Sequence, residues 1–269
     1  MQPPDLAPES DLPLGVGPPS AEPGGGPAAS EPGPGPTHPR RLWAWALGAA
    51  LVAGLMSWYI GERTFDYFKV SQAAAQNTFD PGPMRREMAV AVPSNVAIAY
   101  GTLGALLGFM MGLAGGLARR SVGTGLAAAL GGALLGTVAG AALSFALVPL
   151  FMASYDPVHP TLIKMILTRG GIWAAIGSAA GLAFGLGLGH RAQLIRDLLG
   201  GLLGGIAGTI TFEVSNALID PLGLNDQTVP TTLLARLLAS LIVAVGVAVG
   251  IALTARDPRT IGARGHQVP

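Results

Sequence analysis

The stretch Gly101-Thr-Leu-Gly104-Ala-Leu-Leu-Gly108-Phe-Met-Met-Gly112-Leu-Ala-Gly-Gly116 holds no charged residue and repeats glycine at every fourth position from Gly104 onward. It lies inside a longer apolar run, Val92 to Ala118. At ~1.5 Å of rise per residue, such a run crosses a hydrocarbon layer of ~30 Å as a helix. Residues four apart share one helix face, so the glycines form a smooth groove along it.

Four more runs of this kind follow: Val122 to Phe151, Gly170 to Gly189, Leu198 to Ile219 and Leu233 to Thr254. The first of them exceeds what a bilayer needs, which means either tilt or a surface turn over Ser121 to Gly125. A sixth run, Leu42 to Ile60, precedes them all, with Trp43, Trp45, Trp58 and Tyr59 near its ends, where interfacial aromatics belong. Half the residues of the chain are apolar and 12% are charged, against roughly 25% charged in soluble domains. The expected fold is therefore all-α, a polytopic membrane helix bundle of about six transmembrane helices joined by glycine-zipper packing.

Residues 1–40 are rich in Pro, Gly and Ser and lack the branched and aromatic residues of a core, so a disordered tail is expected there. No short basic segment opens the chain, so 41–60 reads as an uncleaved first helix. Residues 61–91 are the one sizeable polar connection, where Phe65, Tyr67 and Phe68 favour an interfacial helix and Asp80-Pro-Gly-Pro83 a break. The glycine-rich membrane domain spans 92–255, and 256–269 form a second disordered tail.

Arg40, Arg41, Arg119, Arg120, Arg191, Arg196, Arg256, Arg259 and Arg264 all fall on one side of a six-helix path. The positive-inside rule makes that side cytoplasmic and places both termini there, in a cell (inner) membrane. The other side carries Asp80, Asp156, Asp220 and Asp226, but also Arg63, Lys69, Arg85, Arg86, Lys164, Arg169 and Arg236, so the bias is moderate. A net charge of +1 gives no electrostatic reason to expect nucleic acid. With no cysteine, disulfides, thiolate metal sites and thiol nucleophiles are excluded.

The glycine series extends to Gly132, Gly136 and Gly140, to Gly177, Gly181, Gly185 and Gly189, to Gly200, Gly204 and Gly208, and to Gly246 and Gly250. Lipid gives helices little reward for hiding apolar groups from one another, so close backbone approach at small residues drives their association. Arg119, Gly132, Gly136, Thr137 and Pro149 align at a constant shift of 72 with Arg191, Gly204, Gly208, Thr209 and Pro221. This marks a parallel duplication of units at about 95–157 and 165–223, with a half unit at 232–255.

Chemistry is sparse. His38, His159, His190 and His266 sit in tails or loops, so no intramembrane metal or proton-relay cluster is expected, and no hydrolase or phosphate-binding motif is present. Ser178 in its apolar helix lacks a histidine base and reads as a packing residue. Glu213, within Thr209-Ile-Thr-Phe-Glu-Val-Ser-Asn216, stands out. At that depth an ionisable group costs at least ~2 kcal/mol unless it faces protein or water. Thr209, Glu213 and Asn216 share a face that either binds a cation, proton or solute, or serves structure through pairing of Glu213 with Arg169 or Arg236.

The spacing of Phe109, Arg120, Thr124, Gly131, Gly132 and Gly136 is similar to the signature of the preprotein and amino-acid transporter family. That signature has an acid where this chain has Thr124 and a small residue where it has Leu106. The resemblance covers one hairpin and implies transport.

Two functions follow. The first is a non-enzymatic membrane scaffold or assembly component without cofactor or metal. Its glycine faces would join other membrane helices or copies of itself, and its Pro-rich tail would recruit a soluble partner. The alternative is a small-solute or ion transporter using Glu213 and Asn216, with Asn95 and Tyr100 lining the route from the outer face.

Overall fold

The computed structural model describes residues 39–76, 80, 82–154, 162–189, 193–219 and 228–255. The expected N- and C-terminal tails lie almost wholly outside them. The described residues form seven helices and no strand: α1 (Pro39–Thr64), α2 (Gln72–Gln76), α3 (Gly82–Ala118), α4 (Val122–Ser154), α5 (Leu162–Leu188), α6 (Leu194–Ile219) and α7 (Leu233–Thr254). All but α2 are long and apolar enough to cross a membrane.

Local chemistry sets the boundaries. The Asp80-Pro-Gly-Pro83 break starts α3, because the Asp80 carboxylate accepts the Gly82 N–H at 2.9 Å and Pro83 fits a first helical turn. The stretch Gly82 to Ala91 of the polar connection is therefore helical, and α1 runs past Ile60 to Thr64. Between α3 and α4 the chain reverses over 119–121. Arg120 takes φ 63°, and the Ser121 N–H reaches the Gly116 carbonyl at 2.9 Å. The long run Val122 to Phe151 is thus helical from its first residue, with no surface turn as far as Gly125. Gly189, at φ +71°, closes α5 by donating to the Gly185 carbonyl at 3.0 Å, a conformation that suits glycine. Thr232 caps α7, its hydroxyl accepting the Ala235 N–H.

The helix α5 starts at Leu162, before the apolar run at Gly170, and so carries Lys164 and Arg169 inside a helix. It is also the most enclosed span, with 67% of its apolar window buried, packed by α3, α4 and α6. The least enclosed is α4, at 22%. Its Leu126, Leu130, Leu134, Val138, Phe145 and Leu150 point away from the bundle, as side chains facing lipid do. The first helix packs on α3 and α7, and α6 lies between α5 and α7.

Several of these contacts are made backbone to backbone. A Cβ on Gly104, Gly108, Gly112 or Gly116 of α3 would overlap the main chain of Gly136, Gly132, Ala128 or Gly125 of α4. Gly140 meets the Tyr100 carbonyl in the same way. Gly177 meets Gly201, and Gly181 meets the Asp197 carbonyl, between α5 and α6. Gly204 meets Gly246 of α7, Gly208 approaches Val243, and Gly185 faces the Asp197 side chain. Positions matched by the shift of 72 do different work: Gly132 and Gly136 face α3, whereas Gly204 and Gly208 face α7. Contact between α6 and α5 passes instead through Gly201 and Gly205.

Candidate polar centre and cavity

Arg169 projects from the first third of α5 into the bundle, where it is fully buried. Its guanidinium pairs with the carboxylate of Glu213 on α6, itself 4% exposed. The remaining donors do not go to waste: Nε donates to the Thr228 carbonyl at 3.2 Å, and a terminal nitrogen lies 3.7 Å from the Met165 sulfur. The Tyr100 hydroxyl of α3 donates to that same Thr228 carbonyl at 2.6 Å. Phe212 and Trp173 flank the cation, with ring centroids 5.1 and 6.0 Å from its central carbon. Trp173 in turn meets Tyr100 and Phe212 edge-on at 6.1 and 5.6 Å. A buried ion pair tolerates such a setting because the two charges face each other, the Thr228 carbonyl takes a further guanidinium donor and the aromatic faces favour the cation.

Of the residues singled out around Glu213, Thr209 is fully buried, but its hydroxyl donates to the Gly205 carbonyl at 2.9 Å and its atoms pack on Gly170. Asn216 is half-buried, and no hydrogen bond joins it to Glu213. Arg236, the other candidate partner of Glu213, belongs to a second centre. It binds Glu62 of α1 through both carboxylate oxygens at 2.6 and 2.9 Å and stacks over Phe65 at 4.0 Å. It also donates to the Pro230 and Thr231 carbonyls. This second pair ties α1 to α7.

Between these centres is a cavity of about 820 Å³ at the end of the bundle where α1 finishes and α3 and α7 begin. Tyr100, Trp173 and Thr228 line it and also form part of the Arg169 cluster, whereas neither Arg169 nor Glu213 reaches it. Its rim includes Thr64, Phe65, Asp66, Phe68, Lys69 and Val70. Asn95 pins that segment, donating to the Phe68 carbonyl and accepting its N–H, both at 2.9 Å. The amide assigned to a solute route is thus occupied by the chain itself. Glu87 holds Ser71 just beyond, accepting its N–H at 2.6 Å and its hydroxyl at 2.8 Å.

One buried acid lies elsewhere. Asp197, in the first turn of α6, is fully buried, and neither carboxylate oxygen has a hydrogen-bond partner. One oxygen lies 2.8 Å from where a Gly185 side chain would begin. The positive end of the α6 dipole is the favourable influence at that place. In the sequence Asp197 stands beside Arg196, and its only mark is the glycine four-step series of α5, whose Gly181 and Gly185 face it. Among the described residues no three His, Asp or Glu side chains gather in a metal-binding group. No protein-family model, curated protein or solved structure matches the chain.

Proposed function

We propose that this chain is a non-enzymatic membrane scaffold or assembly component: a glycine-zipper bundle that holds partners in place and carries out no reaction. The observation that carries this reading is the closed shell around Glu213. Its charge is neutralised by Arg169 and walled from the cavity by Tyr100 and Trp173, so a solute in that cavity has no contact with it. Backbone contact between glycines of α3 and α4, α5 and α6, and α6 and α7 supports a stiff bundle. The duplicated hairpin units enlarge this bundle. Both termini face the cytoplasm of a cell with this protein in its inner membrane, and the Pro-rich tail offers a ligand to a soluble partner. Further membrane helices or second copies are the partners within the bilayer.

Cross-linking and pull-down of the full chain against a variant lacking residues 1–40 tests the recruiting role. Loss of a defined soluble partner is expected, and an unchanged partner set removes that role. The cavity favours a second reading, transport of a small solute or ion, with Tyr100 and Trp173 as a gate above the ion pair. In reconstituted vesicles, a proton- or cation-coupled flux that Glu213→Gln abolishes while the fold persists establishes transport and displaces the scaffold.

A further inference from the structure

Asp197 has no part in the scaffold reading, and nothing around it accounts for a charge. It stands in the first turn of α6, just before the apolar run that starts at Leu198, and its side chain is fully buried. An acid in a first helical turn ordinarily stays ionised by accepting one of the free N–H groups there. Neither oxygen of Asp197 accepts such a bond or any other.

The elements packed against α6 offer it no cation among the described residues. On α5 it faces Gly181 and Gly185, and no ionisable residue lies between Ile172 and Leu188. On α7, which reaches this level where Gly250 and Thr254 meet Gly200, none lies between Leu237 and Thr254, and the Thr254 hydroxyl donates to the Gly250 and Ile251 carbonyls. On α6 itself Arg196 is exposed, and the next ionisable residue is Glu213, already paired with Arg169. The Arg119 guanidinium, from the end of α3, lies against Gly189 beyond the end of α5.

Both carboxyl oxygens are closed off by neighbouring atoms, so a metal ion or an organic cation has no way to them. A proton needs no room. An unpaired charge in such a place costs far more than an unpaired neutral carboxyl.

We propose that Asp197 is a proton-binding site linked to the contact between α5 and α6: the carboxyl holds a proton while the helices touch, and yields it to water only when they part at this end. The glycines make the linkage tight. Gly181 meets the Asp197 carbonyl and Gly185 its side chain, so no water enters while the backbones are in contact, and hydrating a carboxylate means separating them. Rising pH therefore favours the parted helices, and falling pH the closed ones.

Two measurements on the full chain in detergent test this. The infrared spectrum near neutral pH is expected to hold an un-ionised carboxyl band that shifts when aspartate is labelled with carbon-13 and is missing from Asp197→Asn. The labelled wild type answers alone, so a variant that fails to fold leaves the result intact. Absence of any label-sensitive band of this kind means that Asp197 is ionised and overturns the site. The second measurement places Leu194→Cys in this cysteine-free chain, at the point where the leucine side chain lies against Gly185. Its rate of maleimide labelling is divided by that of the same cysteine in Asp197→Asn, which cancels the titration of the thiol itself. As pH rises, this ratio is expected to climb by up to about tenfold per pH unit. A ratio that stays flat or falls overturns the link between the proton and the helix contact.

Discussion

Arg169 and Glu213 illustrate what a single charged residue does in an apolar helix. Each is stable there because the other is present, and each has little water to fall back on. Glu213→Gln leaves a buried guanidinium without its anion and should destabilise the protein by roughly 3 kcal/mol. Chemical denaturation in detergent measures this. The pair Arg169→Met with Glu213→Leu removes both charges and should recover most of that loss, since the Thr228 carbonyl keeps its bond from Tyr100. Asp197 behaves in the opposite sense. Its carboxylate oxygens have no partner to lose, so Asp197→Asn should leave stability unchanged or raise it by about 1 kcal/mol in the same assay. Glu213 announced itself in the sequence as an acid amid apolar residues, and two arginines were candidates for it. The choice between them depends on helix rotation and on Glu62, which sits in a stretch that reads as ordinary interface. Asp197 stayed hidden because a neighbouring arginine gave it an innocent setting.

The helices separate two kinds of glycine that look alike as letters. Gly108 presses on the backbone of Gly132, whereas Gly131, one residue along α4, has nothing within 4 Å. Gly108→Ala should therefore cost about 1 to 3 kcal/mol through forced separation of α3 and α4. Gly131→Ala should stabilise by up to about 1 kcal/mol, because it removes backbone freedom and meets no atom. Parallel unfolding curves of the two variants check the contrast. In α3 the four-step series marks a partner face, since side chains added at Gly104, Gly108, Gly112 and Gly116 would all run into α4. In α6 glycines stand on two faces, at 200, 204 and 208 and at 201 and 205. Spacing alone does not say which face meets α5 and which meets α7. That is why the repeat register, regular as letters, does not carry over into equivalent contacts.

Across the whole molecule, hydropathy was enough to reveal six long apolar helices, because each span is decided locally by length and charge. The cavity was not legible. It exists only where the ends of several helices and residues 64–70 come together, and no segment of sequence records that meeting. Its rim hangs on Asn95. Asn95→Leu removes both bonds to Phe68, and the segment around residues 64–71 should become the first site cut in limited proteolysis, with the helices still intact. Unchanged resistance in that segment would mean that Glu87 and Ser71 suffice to hold it.

The glycine contacts between α3 and α4 also restrict how the protein can vary. Where a large side chain meets a small one, growth on one side can be matched by shrinkage on the other. Gly104 against Gly136 and Gly108 against Gly132 leave nothing to remove. A side chain gained at one of these positions therefore has no answer at its partner, and revertants of Gly108→Ala should restore glycine or alter residues that set helix spacing elsewhere.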